Sequence, residues 1–166
     1  MPALTLRPAL AKDVPLIMAT ERLPGYDRFI GKYSEDEHHS NMASAAFCYL
    51  IGQDDKGAEI GFVILNDLDR RDGNICIKRI AVATPEKGYG SQLLAAAVDY
   101  AYRETHAYRL WLDVVRENGR ARAVYGRTGF IEEGTMRQAA VMPDGSRTDM
   151  LMMSMLRPEW AAKQSD

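Results

Sequence analysis

The chain has little cysteine and no excess of positive charge. Its two cysteines, Cys48 and Cys76, each lie in an apolar stretch, without Cys-x-x-Cys spacing or a nearby histidine. We therefore expect buried free thiols rather than a disulfide or a metal site. The formal net charge of −2 and the sequence pI of about 5.9 remove the overall attraction that a basic domain has for nucleic acid. Nucleic acid is not an expected partner.

Long apolar runs are also missing. None approaches the roughly 20 residues that span a bilayer, and the first residues lack the basic and apolar segments of a secretory signal. We expect no membrane partner and, by default, a cytoplasmic location. The 166 residues, of which 46% are hydrophobic, suit a single domain over residues 1–166.

The hydrophobic pattern predicts strands first and a strand-helix-strand unit later. Strands are expected at 5–7, 45–51, 59–65 and 75–82, with a helix at 11–18 and one or two short helices within 26–42. A helix from about Gly90 to Glu104 and a strand at 109–115 follow, and this strand should lie parallel to 75–82. The remaining elements are a helix at 120–127, strands at 129–133 and 149–155, and a peripheral tail after Pro158.

A glycine-containing turn, Pro85-Glu86-Lys87-Gly88-Tyr89-Gly90, joins the strand at 75–82 to the following helix. Backbone N–H groups and the positive end of the helix dipole meet at such a point, which favours a phosphate. A P-loop requires Gly-Lys followed by Ser or Thr, whereas Lys87 here precedes Gly88. A dinucleotide-binding turn requires a third glycine where this chain has Leu93. Both nucleotide-binding interpretations are weakened.

A second segment contains Trp111-Leu112-Asp113-Val114, then Asn118, Tyr125 and Gly129-Phe130. In this order and separation, the two segments resemble the acetyl-CoA signature of the GNAT superfamily, the Gcn5-related N-acetyltransferases. The resemblance implies a mixed α/β fold: a mostly antiparallel sheet of about seven strands with one parallel pair, flanked by about four helices. Pro85 departs from the family pattern, which usually has Gln or Arg at that position.

The resemblance also assigns roles to residues. Tyr125 would be the general acid that protonates the departing thiolate, and acetyl-CoA would be the cosubstrate, with no metal. The N–H of Ala81 or Ile80 would stabilise the oxyanion, and Asn118 would bind the pantetheine amide or cap its helix. The implied cofactor-binding residues are Ile80, Ala81, Val82, Lys87, Gly88, Tyr89, Gly90, Ser91 and Asn118.

The base is left open by the sequence. An alkylamine is only about 0.1% neutral at pH 7.4, so its proton must be removed. Lys78 and Arg79 occupy the strand positions where relatives often have Glu, and neither accepts a proton at neutral pH. The alternatives are ordered water and the side chains of Asp113, Glu35, Glu37, His38 and His39.

The implied reaction is direct attack, in a ternary complex, by a primary amine of a small molecule or peptide. The acceptor should enter between residues 22–42 and the loop at 142–147, where the acidic run Glu35-Asp36-Glu37 would favour a cationic amine. A non-catalytic acyl-CoA-binding or sensor module is the alternative, and an NAD-type oxidoreductase is a third class. A homodimer through strand edges near the C-terminus is possible, although Met150, Met152, Met153 and Met155 also suit a core.

Overall fold

The computed structural model describes residues 3–85 and 87–166. These residues form one seven-stranded sheet of order β1-β2-β3-β4-β5-β7-β6, in which β4 and β5 are parallel and the other neighbours antiparallel. The predicted mixed sheet is confirmed, with five α-helices where about four were expected. The elements are β1 (Thr5–Pro8), α1 (Val14–Glu21), α2 (Glu35–Met42), β2 (Cys48–Gln53), β3 (Glu59–Asn66), β4 (Asn74–Val82), α3 (Tyr89–Glu104), β5 (Arg109–Val115), α4 (Gly119–Thr128), β6 (Ile131–Val141), β7 (Arg147–Leu156) and α5 (Arg157–Gln164).

The sheet buries both of its faces. Because successive strand residues point to opposite faces, β3 supplies apolar side chains to two cores. The larger core lies under α3, whose buried residues Leu93, Leu94, Ala97, Val98 and Ala101 form the predicted apolar face. The smaller core lies under α1, where Ile17 packs with β-sheet residues that include Tyr49, Phe62 and Ala81.

Strands β4 and β5 pair over only three residues and then separate. The registered pairs are Asn74 with Arg109, Ile75 with Leu110 and Cys76 with Trp111. On its other side β4 carries an irregularity, because Ile64 pairs with Arg79 but Leu65 pairs with Ile77, which leaves Lys78 as the extra residue. A bulge of this kind bends and twists a strand. It lies where β4 leaves β5 and opens a gap in the middle of the sheet.

The C-terminal part of the chain differs from the prediction. The tail after Pro158 is exposed from Ala161 onward, as predicted, but it forms helix α5, in which Trp160 stacks on Tyr102 and donates a 2.7 Å hydrogen bond to Asp99. Strand β6 continues to Val141, well past the predicted end at residue 133. Its residues are mostly exposed, so they carry no hydrophobic pattern, and the strand pairs with β7 at the edge of the sheet.

Strand β7 is internal, with Leu151, Met153 and Met155 buried in the core, so the free edge near the C-terminus belongs to β6. The predicted homodimer stays a prediction. Cys48 and Cys76 are free thiols, as expected. No helix in the described residues combines the length and the apolar character needed to cross a bilayer.

Candidate active site

The N-terminus of α3 provides an open anion-binding surface at the end of β4. Gly88 precedes the helix with a φ of 76°, a left-handed conformation that favours glycine. Within the described residues, no side chain caps this helix start and its first turn contains no acidic residue. A β-carbon added at Gly90 would meet no atom within 4 Å, so the backbone here is open to a ligand. The first-turn N–H groups and the dipole of such a helix start favour an anion.

The backbone of β4 presents alternate peptide groups to the gap. Ala83 donates a 2.8 Å hydrogen bond to Ile60 of β3, and a β-carbon added at Gly61 would overlap the carbonyl oxygen of Ala81. Ala81 and Ala83 therefore turn their peptide groups towards β3, and alternation turns those of Ile80 and Val82 towards the gap. The Val82 carbonyl accepts a 2.7 Å hydrogen bond from Tyr26. Of the two oxyanion donors considered from the sequence, Ala81 turns its N–H towards β3 and Ile80 turns its N–H towards the gap.

Helix α4 carries two of the predicted site residues. Asn118 caps the helix by accepting a 3.2 Å hydrogen bond from Ala121 N–H, the second of the two roles that the sequence left open. Tyr125 packs against the core under α3, with its ring centroid 6.2 Å from that of Phe130. Burial, reinforced by the charge of Asp113, raises the pKa of Tyr125 to about 12. The phenol is therefore protonated at neutral pH, and it makes no hydrogen bond to another described residue.

Asp113 projects from the other face of β5. Leu112 and Val114 point into the core under α3, so Asp113 and Val115 point towards the α1 side of the sheet. The Asp113 carboxylate reaches solvent, yet the surrounding protein removes part of its hydration. This desolvation raises its pKa, against the opposing effect of Lys78.

A cleft of about 560 Å³ lies on this side of the sheet, between the segment 27–32 and the hairpin of β6 and β7. The acceptor was expected to enter between residues 22–42 and 142–147, and the cleft occupies that region. The acidic run is placed differently, because Glu35, Asp36 and Glu37 are exposed on α2 and do not line the cleft. Its lining is largely apolar: Asp27, Arg28, Phe29, Ile30, Gly31, Lys32, Val115, Ala140, Val141, Met142, Pro143 and Met150.

A buried polar network that the sequence did not reveal connects α1 and α2 to β4. Glu21 accepts hydrogen bonds from Arg79, at 2.6 Å, and from His38 Nε2, at 3.0 Å. His38 Nδ1 lies 2.9 Å from the Tyr49 hydroxyl. His39 is exposed, so the adjacent histidines point apart as expected. No three potential metal ligands cluster in the part of the chain that the structure describes.

A family model described as an acetyltransferase (GNAT) domain matches residues 3–131 of the chain. The chain belongs to this GNAT acetyltransferase family. The resemblance seen in the turn and the Asn118 to Phe130 segment is confirmed.

Individual relatives of this GNAT chain are distant. It is 28% identical over 109 residues to a Bacillus subtilis protein named "Putative ribosomal N-acetyltransferase YdaF". That alignment covers 65% of this chain and 59% of the relative, less than two thirds of its length. Among solved structures, a spermidine N-acetyltransferase from Vibrio cholerae, in complex with CoA and spermine, is 23% identical with a TM-score of 0.84 over 95% of this chain and 98% of its own. A dodecameric structure of a spermidine N-acetyltransferase from Vibrio cholerae is also 23% identical, with a TM-score of 0.82 over 96% of this chain and 97% of its own.

Proposed function

We propose that this GNAT protein is an acetyl-CoA-dependent N-acetyltransferase that acetylates a primary amine of a small molecule or peptide. The observation that carries this proposal is the gap between β4 and β5. The exposed N-terminus of α3 follows the end of β4, and α4 with Tyr125 follows the end of β5. The acceptor cleft, lined by Val115 at the end of β5, adjoins the same gap. The similar Vibrio enzyme, whose structure holds CoA and spermine, supports a CoA thioester and an amine as the two substrates.

Coenzyme A would be held mainly by main-chain groups. The N–H groups of Gly88, Tyr89, Gly90 and Ser91, with the dipole of α3, would bind the pyrophosphate, and the exposed Lys87 would add a charged donor. Pro85 cannot donate a hydrogen bond to the pyrophosphate, but the main-chain N–H groups can bind it without a donor at that position. The open edge of β4 at Ile80, Ala81 and Val82 would pair with the pantetheine arm, and the Asn118 amide would reach the same arm.

The reaction moves an acetyl group from sulfur to nitrogen. The neutral amine attacks the thioester carbonyl carbon, and the Ile80 N–H stabilises the negative charge that develops on the oxygen. The carbon–sulfur bond then breaks, and Tyr125 donates its proton to the departing thiolate. A pKa of about 12 means that the phenol carries the proton that this step requires at neutral pH.

The residues that line the cleft indicate which kind of amine it would accept. Asp27 is the acidic residue among the lining side chains, while Arg28 and Lys32 are basic and the others are mostly apolar. A polyamine carries several positive charges that two basic residues would repel. An amine attached to an apolar group therefore fits this lining better than a polyamine does.

An acceptor screen with acetyl-CoA tests the proposal by measuring the release of free thiol. The probes are spermidine, 2-phenylethylamine and a tripeptide with a free N-terminus, and the fastest is expected to be 2-phenylethylamine. Calorimetry with CoA and with NAD runs in parallel. CoA binding without thiol release from any probe would favour the non-catalytic acyl-CoA-binding alternative, and NAD binding without CoA binding would overturn the proposal.

A further inference from the structure

Asp113 lies on the part of β5 that extends beyond its pairing with β4, on the face of the sheet where the acceptor cleft lies. Strand β5 keeps an uninterrupted register with β7 from Arg109 to Val115, so its side chains alternate strictly between the two faces. Val115, two residues further along and on the same face, lines the cleft. Asp113 therefore shares the face of Val115 and lies two residues nearer the point where β4 and β5 part.

We propose that Asp113 is a catalytic residue that accepts the proton of the incoming ammonium group, directly or through one water molecule. This inference rests on the proposed acetyltransferase function and adds the base that the reaction requires. The amine needs a base at neutral pH, because the ammonium form of an alkylamine exceeds the neutral amine by roughly a thousandfold. A carboxylate on this face, between Val115 of the cleft and the point where β4 and β5 part, would meet the ammonium group as it reaches the thioester.

The charged and titratable groups that face Asp113 come from β4 and α4. Lys78 of β4 lies across the gap, Cys76 of β4 lies where the two strands still pair, and Tyr125 of α4 lies on the other side of Asp113. Burial raises the pKa of the Asp113 carboxyl, and the charge of Lys78 opposes this rise without cancelling it. The carboxylate is thus more basic than one in water.

The other acidic candidates are placed less well. Glu21 and His38 hydrogen-bond to each other and are fully buried, so an acceptor cannot reach them. Glu37 accepts a hydrogen bond from the backbone of Ser34, and Glu35 lies beside the exposed His39. Both lie on α2 and not on a strand that borders the gap between β4 and β5.

The proton balance involves both Asp113 and Tyr125. The ammonium group carries three hydrogens, of which one stays on the amide product. Asp113 takes one before the carbon–nitrogen bond forms and passes it to solvent. Tyr125 gives its own proton to the thiolate as the carbon–sulfur bond breaks, and it recovers one from the nitrogen of the collapsing adduct. The products are the amide, the thiol and one solvent proton.

The test compares Asp113→Asn with the unaltered protein, using the fastest amine of the screen. We expect kcat/KM at pH 7 to fall on the order of 10²- to 10⁴-fold, with CoA affinity by calorimetry retained. The ratio of kcat/KM between the unaltered protein and Asp113→Asn should fall about tenfold for each pH unit above neutrality, because more of the amine has then already lost its proton to solvent. Asp113→Glu should restore part of the rate. Asp99→Asn, on α3 beside Trp160, is the matched control and should leave kcat/KM unchanged.

Two results would overturn the role of Asp113 while leaving the proposed function intact. One is an Asp113→Asn variant that keeps kcat/KM within about threefold of the unaltered protein. The other is a defect of constant size across pH that Asp113→Glu does not reduce, which would mark a structural effect. Failure of the unaltered protein to acetylate any probe would instead overturn the proposed function, and this role with it.

Discussion

The carboxylate of Glu21 and the guanidinium of Arg79 form a 2.6 Å ion pair with both side chains buried. Glu21 lies on α1 and Arg79 on β4, immediately before Ile80, so the pair fixes the helix to the strand beside the gap. Arg79 also stacks on Tyr33, with its guanidinium carbon 4.2 Å from the ring centroid. The acceptor side of the sheet is thereby tied to the strand that would hold the thioester.

Removing one partner of this pair should destabilise the fold strongly. Arg79→Met leaves the Glu21 carboxylate buried without its main counter-charge, and we expect a loss of about 3–5 kcal/mol in the free energy of unfolding. Urea denaturation measures this change in the free energy of unfolding. Arg70→Met is the control, because Arg70 and Asp72 form an exposed pair whose removal should leave the free energy of unfolding almost unchanged. Equal losses in the two variants would contradict the structural importance of the buried pair.

The stability that Glu21 contributes should depend on pH in a defined direction. Burial would raise the pKa of Glu21, but the hydrogen bond from His38 and the charge of Arg79 outweigh it, so the pKa lies below the ordinary value of 4.5. The contribution is therefore complete above pH 4.5 and is lost as the pH falls through the lower folded-state value. The difference in unfolding free energy between the unaltered protein and Glu21→Gln should narrow below pH 4.5. A difference that stays constant down to pH 3 would contradict this.

Replacing Tyr125 tests the acid role. Tyr125→Phe removes only the hydroxyl, so CoA affinity should be retained while kcat falls on the order of ten- to a thousandfold. The matched control is Tyr100→Phe, because burial also raises the pKa of Tyr100 to about 12 but this residue lies on α3, near Cys48. Steady-state thiol release with saturating substrates measures both variants. An unchanged kcat in Tyr125→Phe, with chemistry rate-limiting, would exclude the acid role.

Much of the fold could be predicted because burial is periodic in the sequence. The apolar face of α3 and the strand at Arg109–Val115 were predicted within a residue of their bounds, since both pack against the core. Strand β6 was cut short for the opposite reason. Beyond Glu133 its side chains are largely exposed, and the backbone pairing with β7 that extends it leaves no mark on hydrophobicity.

The candidate site could be predicted only in part. The glycine turn and Tyr125 belong to a contiguous pattern, whereas the bulge at Lys78 is visible only as a shift of register against β3. The network of Glu21, His38 and Arg79 joins residues up to 58 positions apart, with no spacing that indicates contact. The acidic run on α2 could not be placed from the sequence, because its spacing does not indicate whether these side chains line a cleft or face solvent.

Gly61 is a further residue whose role emerges only from the structure. A β-carbon at this position would overlap the carbonyl oxygen of Ala81 and lie 3.0 Å from the Cα of Val82, both backbone atoms of β4. Gly61→Ala must therefore displace the strand edge that we propose for pantetheine binding, because backbone cannot rotate away as a side chain can.

We expect Gly61→Ala to cost about 1–3 kcal/mol in unfolding free energy and to weaken CoA binding measured by calorimetry. Gly134→Ala provides the control, since a β-carbon there meets nothing within 4 Å on the exposed β6 strand. CoA affinity is compared under conditions where both variants are fully folded. Weaker CoA binding by Gly61→Ala alone would then show that the position of β4 affects the CoA site. Unchanged CoA affinity in a destabilised Gly61→Ala would instead separate this strand edge from the CoA site.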